Sequence, residues 1–350
     1  MAWGVIEMAL GRRKKVSQDD LFVMTADLPK SDGHVFYQKL NGLLSEGGFD
    51  AWVEQLCEPH YSNGKGRPGV PPGVYFRMLL VGYFEGIQSQ RGIAWRCADS
   101  LSLPSFLGIA VTEQTPDHSS LTKIRERLPQ AVHESMFQWV LKLASDKQLL
   151  KGKTVAVDSS TLEANAAMKS IVRRDTGEDW REYVVGIMRR KGVIDADAKP
   201  TDDEVRSFDK KRKGKSVSND DWVSTTDADA RVAKMKDGTT HLAYKTEHVV
   251  DVDSNLIVAA EVYAGDNADT NTLEDSLHAA QTNLNEAAIE ATILEVVADK
   301  GYHSTDVLET LDQHTSFRSY VAEPKSPTGK RHWKGVSKSK RKAVEANRRR

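Results

Sequence analysis

The chain has 350 residues, 39% apolar and 28% charged, which is ordinary for a globular protein and enough for two or three cored domains. No run approaches the ~18 apolar residues of a membrane span, and MAWGVIEMALGRRKK puts its charges after a short apolar stretch, the reverse of a signal peptide. Neither a membrane-spanning helix nor a signal peptide is expected from this pattern, and a cytoplasmic protein is.

Residues 34–150 read as helical. In PPGVYFRMLLVGYFEGI, Pro71 and Pro72 precede a segment where Val74, Tyr75, Phe76, Met78, Leu79, Val81, Tyr83 and Phe84 leave little polar face, as in the central helix of a bundle. A second helix follows Ser89, a third starts at the capping residues Asp117 and Ser119, and AVHESMFQWVLKLAS supplies a fourth. At Lys151 the texture changes. KTVAVDSS is a β-branched run ending in Asp158, and HLAYKTEHVVDVDSNLIVAAEVYAG alternates on both sides of Asp253-Ser254-Asn255, which predicts a hairpin. A helix near 270–288, the strand ATILEVVAD, a short helix from Ser304 and the strand SFRSYVAEP complete the order. Strand, hairpin, helix, strand, helix, strand predicts an α/β domain around one mixed sheet.

Two segments stand outside this pattern. Residues 166–238 form a polar insert expected to be partly helical, partly flexible and without clear strands. The net charge of −1 conceals a tail, residues 325–350, with eleven Lys or Arg and one acid, a local +10 against −11 for the remainder. Such a tail either contacts a polyanion such as nucleic acid or is simply solvated. The two cysteines, Cys57 and Cys97, lack metal-type spacing and fit a reducing compartment.

Asp158 and Asp299 each end a predicted strand. If those strands are neighbours, both carboxylates emerge at one edge of the sheet, where mutual repulsion calls for a cation or a shared proton. Mg2+ takes such oxygen ligands and leaves positions for water or phosphate. An Asp at a strand end also serves as a turn or cap residue, and spacing alone does not separate the two readings.

The blocks VAVDSSTLEANA, DADARVAKMKDGTTHLAYKTEHVVDVDS and VVADKGYHS resemble the DDE transposases of bacterial insertion sequences, the group with an RNase H-like catalytic domain. FDAWVEQLCEPHYSNGKGRPGVPPGVYFRMLLVGYFEGIQSQRGIAWRCADSLSLPSFLG and TPDHSSLTKIRERL are similar to the helical N-terminal domain of the same proteins. The resemblance implies a variable leader over 1–33, a helical domain over 34–150, and a catalytic domain over 151–324 with the insert at about 166–238. Residues 325–350 would be a basic tail or the start of the last catalytic helix. It further implies Asp158 and Asp299 as catalytic metal ligands for Mg2+ or Mn2+, two ions per site, in phosphoryl transfer at transposon ends. The expected partners are terminal inverted repeats and target DNA, engaged by a homodimer in the nucleoid. Lys300, Tyr302 and His303 would contact phosphate or support the ligand, with His303 an acid or base in the alternative. Arg231, Lys234, Lys236 and Lys245 are candidate phosphate contacts, and equally a solvated hairpin base. Arg91, Arg96, Lys123, Arg125 and Arg127 could line a helix-turn-helix-like reader, although an ordinary bundle explains the apolar pattern as well.

The family also calls for a third acid, a glutamate on a helix after the last strand. The resemblance puts it beyond KAVEANRRR, where this sequence stops, leaving Glu323 and Glu345 as candidates within the chain. Loss of that helix would leave apolar sheet surface exposed. The expectation is therefore an active transposase or, if the third acid is lacking, a catalytically dead DNA-binding derivative acting as a repressor, or a decayed gene product.

Overall fold

The computed structural model describes residues 24, 33–62, 69–213, 218–235, 237–325, 333 and 335–350. The chain divides into two compact units, Met1–Met136 and Phe137–Arg350, where the sequence suggested a boundary at 150. Among the described residues no helix is long and apolar enough to cross a membrane.

The first unit is built from α1 (Val35–Glu46), α2 (Phe49–Cys57), α3 (Pro72–Phe84), α4 (Gln90–Ala98), α5 (Leu103–Leu107), α6 (His118–Arg127) and the start of α7 (Gln130–Asp146). Local chemistry sets the starts. Pro71–Pro72 opens α3, and the Ser89 and Asp117 side chains accept the N–H groups of Gly92 and Ser120 to cap α4 and α6. The near-uniform apolarity of α3 is realised only in part: Val74, Tyr75, Phe76, Met78 and Val81 are buried, while Tyr83 and Phe84 at its C-terminal end are exposed. Arg77 is buried with them because Asp50 takes its guanidinium in a two-pronged pair at 2.6 and 2.9 Å. Of the basic residues suggested as a reader, Arg96 is paired with Glu85 at 2.6 Å and Arg127 lies over the Tyr61 ring at 4.7 Å. Cys57 and Cys97 are free and buried, and burial pushes the Cys97 thiol up to about 11.

The second unit carries β1 (Thr154–Glu163), β2 (Ile171–Arg173), α8 (Trp180–Arg190), α9 (Asp202–Lys211), β3 (Trp222–Ser224), β4 (Arg231–Lys234), β5 (Thr240–Asp251), β6 (Ile257–Ala264), α10 (Asp269–Glu286), β7 (Glu295–Ala298), α11 (Thr305–His314), β8 (Arg318–Val321) and α12 (Lys338–Arg349). The hairpin β5–β6 turns at Asn255, whose φ of +60° suits an asparagine. β6 and β1 pair with opposite edges of β5, both antiparallel, while β7 pairs parallel with β1 and β8 parallel with β7. The resulting order, third, second, first, fourth, fifth among the main strands, is the RNase H-like arrangement. β4 extends the sheet beside β6, since Ala243 of β5 faces Glu163 on one side and Arg231 on the other.

Strand alternation fixes what each face does. Val155, Val157, Val249, Val296, Ala298 and Val321 join Leu273, Leu277 and Leu284 of α10 and Leu308 and Leu311 of α11 in one core. The opposite face is open around Leu162, Val262 and Val297, exposed by 53%, 62% and 38%, while at one end of β5 Leu242 is buried against Ile171 and Trp222 of the insert.

Two expectations change. The insert contains strands, because β2 and β3 pair antiparallel and close over Trp222 and Ile171, while Val184, Val185 and Met188 of α8 pack on Val205 of α9. The basic tail is not merely solvated: its described part forms α12, which buries Ala343, Val344 and Asn347. Its cations meet the body's acids, Arg348 on Glu323 at 2.6 Å, Arg350 on Asp312 at 3.8 Å and Lys340 on Asp306.

Candidate functional site

Parallel pairing of β1 with β7 runs from Thr154↔Glu295 to Val157↔Ala298. The next positions on the two strands are Asp158 and Asp299, so the register brings both aspartates to one sheet edge, on strands about 4.8 Å apart. Each is exposed and each has one oxygen fixed by a nearby amide. Asp158 Oδ1 accepts the Ser159 N–H at 2.8 Å, and Asp299 Oδ1 accepts the Gly301 N–H at 2.7 Å, opening the 3-10 turn Lys300–Tyr302. The second oxygen of each carboxylate has no protein partner among the described residues. This is the geometry of oriented ligands with free lone pairs on the solvent side.

The antiparallel pairing on the other side of β1 sets His248 of β5 directly opposite Asp158. His248, Asp158 and Ser160 line a shallow depression on the open face, floored by Ala156, Val250 and Ile257. His248 escaped the sequence reading because nothing there specifies cross-strand register.

The remaining candidates scatter. Lys300 is exposed beside Asp299, and His303 is half-buried just beyond the turn. Tyr302 is fully buried and donates its hydroxyl to Glu247 at 2.9 Å; burial first, and then that carboxylate, drive its pKa far above the ordinary tyrosine range. Tyr302 therefore supports the turn from within rather than contacting phosphate. On the edge strand β4, Lys234 is exposed, while Arg231 turns its guanidinium back onto the Ala228 and Ala230 carbonyls at 2.9 and 3.4 Å. Lys236 lies outside the described residues. Lys245 corrects the expectation most clearly. Its side chain is 7% exposed and its ammonium is held by Glu247 and Asp269, both at 2.9 Å, so it is closed to a DNA phosphate.

Neither candidate third acid joins the two aspartates. Both oxygens of Glu323 are taken by Arg348, at 2.6 and 2.8 Å, and Glu345 faces Arg349 along α12 at 3.7 Å. Among the described residues no three His, Cys, Asp or Glu side chains are grouped to hold a metal ion. Two oriented carboxylates do fit a hard divalent cation of the Mg2+ type, which keeps most positions for water or substrate oxygens.

Comparison with known proteins follows the same division of the chain. Residues 24–127 match the family described as Transposase domain (DUF772), and residues 151–350 match the family described as Transposase DDE domain. No curated protein matches. Among solved structures the chain is similar to a Mos1 transposase paired-end complex with left transposon end, at 11% identity and a TM-score of 0.22. The match covers 77% of this chain and 65% of that one.

Proposed function

The chain belongs to the family of transposase DDE domains, and on that premise we propose that it is a DNA transposase of a bacterial insertion sequence, binding transposon ends and carrying out metal-dependent phosphoryl transfer there. The observation that carries the reading is the register of β1 and β7, which sets Asp158 and Asp299 side by side with one free oxygen each.

In this reading Asp158 and Asp299 hold Mg2+ or Mn2+. The bound ion would supply Lewis-acid polarisation of a phosphate oxygen and a more acidic water. The protein's contribution is placement and charge. Hydrogen bonds donated by the Ser159 and Gly301 backbone N–H groups orient the two carboxylates before any ligand arrives. Lys300, exposed one residue beyond Asp299, offers its ammonium to a passing phosphate, and His248, opposite Asp158, presents an imidazole on the same face. Lys234 and the exposed cations of α12 would add sequence-independent backbone affinity. Pairing of two transposon ends by a homodimer belongs to the same proposal.

A second reading has its own support: Glu323 and Glu345 are engaged by arginines and stand apart from the aspartates. A protein with only two of three acids would bind transposon ends without cutting them and could repress an intact enzyme. The deciding experiment uses DNA with the inverted repeats that flank the coding sequence, assayed for Mg2+- or Mn2+-dependent nicking and for salt-dependent binding. Nicking abolished by Asp158→Asn supports the active transposase. Binding without nicking supports the inactive binder, and absence of binding at low salt refutes both.

A further inference from the structure

Behind the carboxylate edge, on the helix side of the sheet, lies a buried polar network that the proposed chemistry leaves unused. At its centre the Lys245 ammonium contacts Glu247 Oε2 at 2.9 Å, Asp269 Oδ1 at 2.9 Å and Thr272 Oγ1 at 2.6 Å. Glu247 is fully buried, and its Oε2 also accepts the hydroxyls of Thr272 at 2.8 Å and Tyr302 at 2.9 Å. Its Oε1 is buried without a hydrogen-bond partner among the described residues, so the polar contacts recorded for that carboxyl all pass through Oε2.

Asp269 connects this network to the edge. It is the first residue of α10, and its Oδ1 accepts the hydroxyl of Ser159, the neighbour of Asp158, at 2.9 Å. Its Oδ2 points at the turn after Asp299. A Cβ placed on Gly301 would lie 2.5 Å from Asp269 Oδ2 and 2.9 Å from Asp299 Oδ1. The two carboxylates thus approach each other across the bare Cα of Gly301. Like charges this close repel unless a cation offsets one of them. Among the described residues, Lys245 is the cation whose contact with Asp269 the structure records, and it also offsets Glu247. Its ammonium bridges Glu247 and Asp269, so its removal leaves a buried and a half-buried carboxyl with only neutral donors.

We propose that Lys245 is a positioning residue for the Asp158–Asp299 edge, clamping Asp269 between Ser159 on one side and the Gly301 turn on the other. Gly301 is the second part of the device, because any side chain there would wedge Asp269 away from Asp299. The inference rests on the reading of that edge as a metal site, but its structural half is testable without metal.

The experiment compares the full chain with Lys245→Met, Lys245→Met/Asp269→Asn and Gly301→Ala. Hydrogen exchange of residues 299–303 and Mn2+ binding followed by electron paramagnetic resonance are the two readouts. Lys245→Met is expected to speed exchange at the Gly301 amide at least tenfold relative to the core of α10 and to weaken Mn2+ binding at least tenfold. The double variant should recover much of both, since the uncompensated Asp269 charge is gone; a lysine that merely fills space predicts no recovery. Should Lys245→Met fail to fold, Gly301→Ala, an exposed turn substitution, decides alone, with the same loosening expected. Unchanged exchange in Lys245→Met and Gly301→Ala overturns the proposal. Faster exchange in a protein whose wild type binds no Mn2+ supports the clamp and refutes the metal site instead.

Discussion

Replacing Asn347 by alanine tests whether the basic C-terminal segment is truly part of the fold. β8 is the last strand of the sheet, and Asn347 completes its outer edge as a further strand would. Its Oδ1 accepts the Val321 N–H at 2.9 Å and its Nδ2 donates to the Val321 carbonyl at 2.9 Å, both buried. Truncation removes two hydrogen bonds and leaves a backbone donor and acceptor without partners, each costing about 1–3 kcal/mol. Partial hydration of the loosened edge offsets some of this, so the net expectation is about 2–4 kcal/mol. For a unit of this size the corresponding fall in Tm is roughly 5–15 °C. Thermal unfolding followed by far-UV circular dichroism reads it directly. Asn347→Asp is a stringent companion, because a carboxylate still accepts from the N–H but opposes the Val321 carbonyl, and it should destabilise at least as much. A loss below about 0.5 kcal/mol for both variants, the range of ordinary surface substitutions, would mean that α12 is not docked and that the tail is solvated after all.

Other substitutions probe separate links. The Asp227 carboxyl is held below its ordinary range chiefly by the Tyr244 hydroxyl, which donates to it at 2.6 Å and is itself pushed up to about 12. A depressed folded-state pKa contributes stability above the unfolded value that is lost as pH falls through the folded one. Tyr244→Phe should therefore flatten the decline of urea-unfolding stability below about pH 4, and identical profiles would contradict the assignment. Lys234→Ala and Lys300→Ala should each lower the salt slope of DNA binding by about 1 without altering sequence preference, an outcome refuted if the slope is unchanged. At Gly265 a Cβ would run into the Ala243 carbonyl, which as backbone cannot give way. Gly265→Ala is expected to cost about 1–3 kcal/mol in chemical denaturation, and a neutral effect would show that the end of the β5–β6 hairpin is looser than described.

Much of the architecture was legible because local chemistry and pattern agreed. Ser89 and Asp117 announce helix starts, and the alternation around Asp253-Ser254-Asn255 announces the hairpin. The insert was harder. Its strands β2 and β3 are three residues each, too short for a period to emerge, and Arg173 stacked over Tyr183 and Trp222 at 5.2 and 5.7 Å adds to small apolar clusters drawn from separate short segments. The tail left a solvated segment and the start of a helix both open, because α12 buries only a few small or polar residues beneath a highly charged surface. Lys245 misled for a different reason. Charge alone suggested a phosphate contact, but in β5 it shares its parity with Val249, and alternate residues of a strand share a face. That signal was present and was outweighed. His248 and Asp269 could not have been found, because only cross-strand register and the packing of α10 bring them to the edge.

The central claim is that Asp158 and Asp299 form one cation site, and Mn2+ titration of wild type, Asp158→Asn, Asp299→Asn and the double variant tests it most directly. A shared site predicts that each single substitution weakens binding at least tenfold and that the double loses little more, since groups acting on one ligand are not additive. Single variants that bind Mn2+ as tightly as wild type, or whose losses simply add, would contradict it.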